Sequence, residues 1–276
     1  MNKITARDTL EFIRHLQKEG KAPLTVEKYR RDLKAFSAYL RGREVTEERV
    51  TAYRDRLMKG YAPGSVNSIL SALNRFFVYK GWCIRLRFLR IQKSPYMGKE
   101  KCLTKAEYER LLSAAKENER MYYLLQTICG SGIRVSELPF ITAEAVAEGK
   151  AVISLKGKTR VVLLSRSLCR ALERYAAKHH IHTGSLFVTR SGKPLDRSNI
   201  HHAMKKLCEK AGVDPRKVFP HNLRHLFART FYRVQKDIVR LADILGHSSI
   251  NTTRIYTMET GEEHRRMIEK LGLVFV

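Results

Sequence analysis

The sequence predicts a mainly α-helical protein of two domains: an N-terminal four-helix bundle, then a larger, mostly helical domain interrupted by one small antiparallel β-hairpin. Three observations carry this. Apolar residues recur at helical spacing along most of the chain. That periodicity lapses once, in a polar stretch with Pro and Gly near residues 93–102. One segment, KAVISLKGKTRVVLL at 150–164, carries two β-branched runs around a Gly-Lys turn.

The elements follow in order. Residues 5–19 form a first helix. TVEKYRRDLKAFSAYL places Val26, Tyr29, Leu33, Phe36 and Leu40 on one face of a second. A third runs from about Thr46 to Met58. The fourth, APGSVNSILSALNRFFVYKGW, aligns Val66, Ile69, Leu70, Leu73, Phe76 and Phe77 and stops at Gly81. These stripes are read as core, which makes residues 1–92 a small bundle. Residues 93–102 read as a linker, and 103–276 as the second domain. TKAE at 104–107 is a capping box, with Thr104 as N-cap and Glu107 reaching back. Further helices are expected near 104–117, 119–130, 134–138, 165–180, 197–211, 221–234, 237–245 and 249–257. LFVTRSGKPL at 186–195 is expected to add a strand, and Pro139 to end its short helix early.

Composition bounds the function. Lys and Arg total 53 against 27 acids, a formal net charge of +26, with the excess spread over both domains. Such a surface gains affinity by releasing the counterions of nucleic acid. Two basic domains on one linker would clamp a duplex. The five cysteines show neither zinc spacing nor a disulfide framework, which reads as thiols in a reducing compartment. No apolar run approaches a membrane span and no signal core opens the chain, so the expectation is a cytoplasmic protein without a membrane partner.

Several motifs are absent. Gly157-Lys158-Thr159 is the ending of a phosphate-binding loop, but that loop needs a Gly where Val152 stands. His221 and His225 lie one turn apart without a Cys or carboxylate to complete a metal set. What remains is a scattered basic set: Arg134 in GSGIRVSEL, Lys156 in SLKGKTR, His221 and Arg224 in HNLRH, His247 in LGH, and Tyr256 nine residues after His247.

Taken together and in this order, these residues resemble the tyrosine recombinases of the phage-integrase family, above all the Xer-like members. The motifs cover 103–260, and the bundle is similar in architecture to the family's core-binding, SAM-like domain. The resemblance implies cleavage and rejoining of double-stranded DNA at specific sites, through a 3′-phosphotyrosyl link and a Holliday junction. It implies no metal, no ATP and no other cofactor. It also implies a homo-tetramer on DNA, alone or with a paralogous recombinase or accessory protein. A helix with Met267, Ile268 and Leu271 and the apolar tail after it then dock on a neighbouring protomer or on their own domain.

The chemistry accounts for the residue types. A phosphodiester resists attack because negative charge concentrates on its oxygens; two fixed guanidiniums, Arg134 and Arg224, match the positions that clamp them. A free tyrosine hydroxyl ionises near about pH 10 and needs help to attack. Tyr256 matches the nucleophile and His221 the group that takes its proton. Lys156 matches the general acid for the leaving 5′ oxygen, with Lys158 the alternative in a shortened turn. His247 matches a phosphate hydrogen bonder. Glu137 reads either as support for this set or as a surface ion pair, and His225 as a structural hydrogen bonder. In the bundle, Lys28, Arg31 and Arg75 fall on the helices similar to the family's DNA-facing pair, with Asn67 or Ser71 near bases; a solvated face is the other reading. Competing functions are a non-catalytic DNA-binding protein, a type IB topoisomerase and a metal nuclease. The complete six-residue set argues against the first, the small size against the second, and the dispersed acids against the third.

Overall fold

The computed structural model describes residues 2–91, 102–155, 157–189, 191–256, 265–266, 268–271 and 273. The chain divides into two compact units, Met1–Lys93 and Ser94–Val276. Apart from Cys102, which is buried, the stretch read as a linker lies outside the described residues.

The first unit is four helices: α1 (Ala6–Lys18), α2 (Pro23–Leu40), α3 (Glu47–Gly60) and α4 (Pro63–Tyr79). Their starts are chemically marked. Thr5 and Asp8 form a capping box on α1, Thr46 caps α3, and α2 and α4 open on proline, whose missing N–H costs nothing there. The apolar stripes meet as expected: Phe12, Leu33, Phe36, Leu70, Leu73 and Phe76 are fully buried. The chain after α4 is pinned back along it by two asparagines seven residues apart. Asn74 exchanges hydrogen bonds with the Leu86 backbone, and Asn67 does so with that of Leu89 at 2.7 and 2.9 Å.

The second unit holds α5 (Lys105–Ala114), α6 (Glu119–Ser131), α7 (Ala143–Ala147), the hairpin β1 (Lys150–Leu155) and β2 (Lys158–Leu163), α8 (Arg166–Lys178), α9 (Arg197–Ala211), α10 (Pro220–Gln235), α11 (Ile238–Leu245) and α12 (Ile250–Thr253). The strands are antiparallel, with Val152 opposite Val161 and Ile153 opposite Arg160. Helix α10 packs on α6 and α5 on α9, around Leu103, Leu124, Leu125, Ile128 and Leu223. A smaller cluster of Ala228, Leu241, Leu245 and Tyr256 closes the C-terminal side.

Three expectations change. The 186–195 strand is not formed: Val188 and Pro194 make one isolated bridge across a tight turn closed by Thr189 and Lys193, and Pro194 brings no N–H to extend it. The helix expected at 134–138 is a 3-10 turn, Val135–Phe140, with Pro139 inside it rather than beyond its end. Proline forbids the α-helical hydrogen bond and clashes with the fourth carbonyl back, so the tighter turn wins. The 249–257 helix breaks after Thr253 into a 3-10 turn, Arg254–Tyr256. Helix α7, begun by a Thr142 cap on Ala145, and a 3-10 turn at Pro215–Lys217 were not anticipated. Among the described residues no helix is long and apolar enough to cross a membrane.

Candidate active site

Helix α6 ends because Gly132 turns left-handed at φ +66°, and a Cβ there would lie 2.5 Å from the Phe227 ring. That turn delivers Arg134 to the start of the 3-10 turn. Helix α10 presents His221, Arg224 and His225 on one face. Helix α11 ends at Gly246, φ +62°, where a Cβ would meet the Arg160 side chain at 2.4 Å, and the turn sets down His247. The 3-10 turn after α12 carries Tyr256. The hairpin brings Arg160 beneath the same place.

These side chains converge. Arg224 is 1% exposed, an unusual site for a guanidinium, and is satisfied by fixed acceptors. It donates to the Gly132 carbonyl, to the Leu245 carbonyl at 2.7 Å and to His247 Nε2 at 2.9 Å. The Tyr256 hydroxyl lies near enough to favour the charged form of this guanidinium. Burial first, and then Arg134, pulls the Arg224 guanidinium down to about 10, so it stays charged at neutral pH. Because a guanidinium only donates, His247 Nε2 must accept, which leaves Nδ1–H to donate to Thr253 Oγ1 at 2.9 Å. His247 is therefore a neutral imidazole; burial and Arg224 push it down to about 4.

Arg134 is held differently. Its Nη1 donates to Glu137 Oε1 at 2.9 Å and its backbone N–H to Glu137 Oε2 at 2.7 Å, while its side chain stays 39% exposed. Glu137 is 3% exposed and also receives Arg160 Nη2 at 2.7 Å. Burial favours its neutral form, but the hydrogen bonds from Arg160 and the Arg134 backbone outweigh that and hold the carboxyl below its ordinary value. Arg134 lines two adjoining cavities, one of about 510 Å³ with Arg197, His221 and Arg224, the other of about 620 Å³ with Glu137, Arg160 and His247.

His221 is exposed at the mouth of the first cavity. Burial of part of the ring, then Arg224, Arg134 and Arg197, lowers its imidazole below the usual value, which favours the neutral, proton-accepting form. Its ring meets that of His225 edge-on at 4.7 Å, and His225 meets Tyr256 the same way at 4.7 Å. His225 was expected to make a structural hydrogen bond; its Nδ1 is buried without a hydrogen-bond partner, and its ring packs edge-on against Tyr256. Burial and His221 push it down to about 4. Tyr256 is itself 3% exposed.

Five of the six expected residues thus share one site; Lys156 lies outside the described residues, as does Met267 in the C-terminal segment. Of that segment, Ile268 and Leu271 are described and exposed. In the first unit Arg31 is exposed and Ser71 half-buried. Lys28 is tied to Asp32 and to the Ser68 carbonyl, Arg75 to Glu19, and the Asn67 amide to Leu89, so these three have partners within their own unit. Two participants were missed. Arg160 occupies an inward position of β2, opposite Ile153, and a charge on a buried strand face demands a partner. Thr253, fully buried, stands three residues before Tyr256 at the end of α12, and nothing in the sequence marked its hydroxyl as the partner of His247.

A buried arginine pocket beside a tyrosine, with a second arginine left accessible, is suited to transferring a phosphoryl group to that tyrosine. Residues 101–263 match the family described as the phage integrase family, and residues 10–82 its N-terminal SAM-like domain. The chain belongs to this family, the tyrosine recombinases: it is an enzyme of site-specific recombination that cleaves and rejoins DNA strands. Within the family its likeness runs to Xer recombinases. It is 31% identical to tyrosine recombinase XerA of Pyrococcus horikoshii over 272 residues, covering 96% of this chain and 93% of that protein. To tyrosine recombinase XerD of Pseudomonas aeruginosa it is 32% identical over 265 residues, 87% and 88% of the two. A crystal structure of XerA recombinase aligns at a TM-score of 0.55 and 26% identity over 99% of this chain and 100% of that one. A lambda integrase tetramer bound to a Holliday junction shares the fold at a TM-score of 0.73 and 20% identity, covering 94% and 80%.

Proposed function

We propose that Tyr256 is the nucleophile and that Arg134, Arg224, His221 and His247, with Lys156 at the hairpin turn, form its catalytic set. The observation that carries this is the convergence of three side chains: the Tyr256 ring stacks on that of His247 at 5.9 Å, and Arg224 donates to His247 Nε2 while lining a cavity with Arg134 and His221. The two guanidiniums take the non-bridging oxygens of the scissile phosphate. The bond from Tyr256 Oη to phosphorus forms as the bond from phosphorus to the 5′ oxygen breaks. His221 accepts the tyrosyl proton and Lys156, or Lys158, protonates the leaving 5′ oxygen. The link formed is a 3′-phosphotyrosine; attack by another 5′-hydroxyl reverses each transfer, so no ATP is needed. His247 Nε2 exchanges its Arg224 hydrogen bond for one with the phosphate once protonated or rotated. Metal chemistry has no part in this scheme.

The same reading makes 1–92 a DNA-clamping domain and 103–276 the catalytic domain, acting in the cytoplasm as a homo-tetramer, alone or with a paralogue or accessory protein. The tetrameric assembly of lambda integrase supports it, as do the exposed Ile268 and Leu271, which have apolar surface to bury on another protomer or on their own.

The test is covalent trapping. The protein is incubated in EDTA with nicked duplexes drawn from its genomic neighbourhood, and the products are run on a denaturing gel. A slow band that disappears in Tyr256→Phe is expected. A band that persists in Tyr256→Phe would show that another residue attacks. Loss of the band in EDTA, with recovery on adding Mg²⁺, would overturn the metal-free scheme.

A further inference from the structure

We propose that Arg160 is a positioning residue for the phosphate pocket: from the base of the hairpin it fixes both the carboxylate that orients Arg134 and the turn that sets His247. The inference rests on the catalytic reading above and assigns a job to a residue outside its six-member set.

Arg160 is 16% exposed, and both terminal nitrogens of its fork are taken by the protein. Nη2 donates to Glu137 Oε2 and Nη1 to the Ile244 carbonyl, each at 2.7 Å, and Nε is buried without a partner. It is therefore not free to grip a phosphate itself. Its stem lies against Gly246, where even a methyl group would come within 2.4 Å, and Gly246 immediately precedes His247. One side chain thus touches both walls of the 620 Å³ cavity.

The charge balance explains why two arginines share one acid. Arg134, Arg160 and Arg224 against Glu137 leave a net charge of two positive among the four, matching a phosphoryl group that becomes dianionic in the transition state. Arg160 saturates Glu137 from the protein side. Glu137 then holds Arg134 by one nitrogen and its backbone N–H, while the rest of that guanidinium faces the cavity. Without Arg160, a carboxylate 3% exposed would draw Arg134 inward as its only cation, away from the phosphate.

The experiment compares single-turnover formation of the covalent complex on two nicked duplexes, using a sequence on which the parent protein is trapped. One carries the ordinary scissile phosphodiester. The other carries a methylphosphonate there, in which a methyl group replaces one charged oxygen, so that losing a guanidinium's help costs less. The variants are Arg160→Met, Arg160→Lys and, as reference, Arg134→Ala; Arg160→Lys keeps the stem on Gly246 and the charge but loses the fork. We expect Arg160→Met to slow cleavage of the phosphodiester on the order of tenfold to a hundredfold. Duplex affinity should stay within about threefold, and the deficit should shrink on the methylphosphonate as it does for Arg134→Ala. Arg160→Lys should fall between. Equal deficits on both substrates for both Arg160 variants, with Arg134→Ala still rescued, would make Arg160 a structural residue only and overturn the inference while sparing the catalytic reading. An Arg134→Ala protein that cleaves the phosphodiester at the parent rate would overturn the catalytic reading itself.

Discussion

Arg224, in the second unit, is 1% exposed and fastened to the carbonyls of Gly132 and Leu245 and to His247. Arg31, in the first unit, stands exposed on α2, while Lys28 of the same helix is paired with Asp32 and Arg75 of α4 with Glu19. Both regions are basic, yet they hold charge in different ways. Charge that stabilises a transition state must be in place before the reaction, because reorganising it during the step would cost what it gains. Charge that attracts a duplex works through counterion release and tolerates mobility. The pocket accordingly fastens Arg224 and Arg160 to backbone carbonyls, while Arg31 on the helix face is left exposed.

The comparison is tested hardest at Arg224. Arg224→Lys keeps one positive charge but cannot reach two carbonyls, a histidine and a phosphate with one ammonium. Single-turnover cleavage should fall by a hundredfold or more, about 3 kcal/mol in the barrier, with duplex affinity nearly unchanged. A variant that binds DNA far more weakly but cleaves what it binds at the parent rate would show that fixed and mobile charge are not separated as described.

Gly132→Ala probes the frame rather than the charge. An L-residue at φ +66° is strained, and the new methyl group would run into the Phe227 ring. A loss of about 2 kcal/mol or more in stability is expected, read as a lowered urea midpoint. Cleavage should suffer as well, because the Gly132 carbonyl holds Arg224. An unchanged midpoint would mean that the turn is not what fixes the pocket.

Acid should disturb the pocket before it disturbs the bundle. His225 and His247 are held near about 4 against an ordinary 6.5. Between those values the unfolded chain binds protons that the folded chain refuses. Their contribution to stability is thus whole above about pH 6.5 and is lost as pH falls toward 4. The urea midpoint of the second unit should drop across that window, and less so in His225→Phe. The cleavage rate should fall with acid too, along a limb set by His221, whose imbalance toward the neutral form places that limb below 6.5. A midpoint flat from pH 7 to pH 5 would contradict the buried neutral histidines.

How much of this was legible in the sequence follows from the range of each interaction. The bundle was legible because helical period, caps and turns are local: Thr5 and Thr46 mark starts that the structure keeps, as Thr104 does for the second unit. The motifs proposed as catalytic were legible as patterns whose chemistry explains the residue types. What joins them was not. Arg224 reaches Gly132 across 92 residues and Arg160 reaches Ile244 across 84, through backbone carbonyls that every residue possesses and no pattern marks. Arg160 left the one usable trace, a cation in phase with the buried positions of β2. Asn67 illustrates the converse: its amide pins a returning chain, a use that no pattern in the sequence marks.

The smallest effects belong to the first unit, where the comparison can be sharpened within a single helix. Lys28 and Arg31 are both cations of α2, three residues apart, but Lys28 Nζ is held by Asp32 and by the Ser68 carbonyl of α4, while Arg31 is exposed. Removing Lys28 leaves Asp32, 7% exposed, without its cation; Lys28→Ala should therefore cost stability, about 1–2 kcal/mol, and leave the salt dependence of duplex binding nearly unchanged. Arg31→Ala should do the reverse. Stability stays within about 0.5 kcal/mol, duplex affinity falls a few-fold, and the slope of log affinity against log salt becomes shallower by about one. The measurement is a pair of urea melts and a pair of salt titrations followed by fluorescence anisotropy. If both variants change the salt slope equally, Lys28 exchanges its internal partners for phosphate when DNA arrives, and the ion pairs of this face are a resting arrangement. If neither does, DNA approaches the unit from another side.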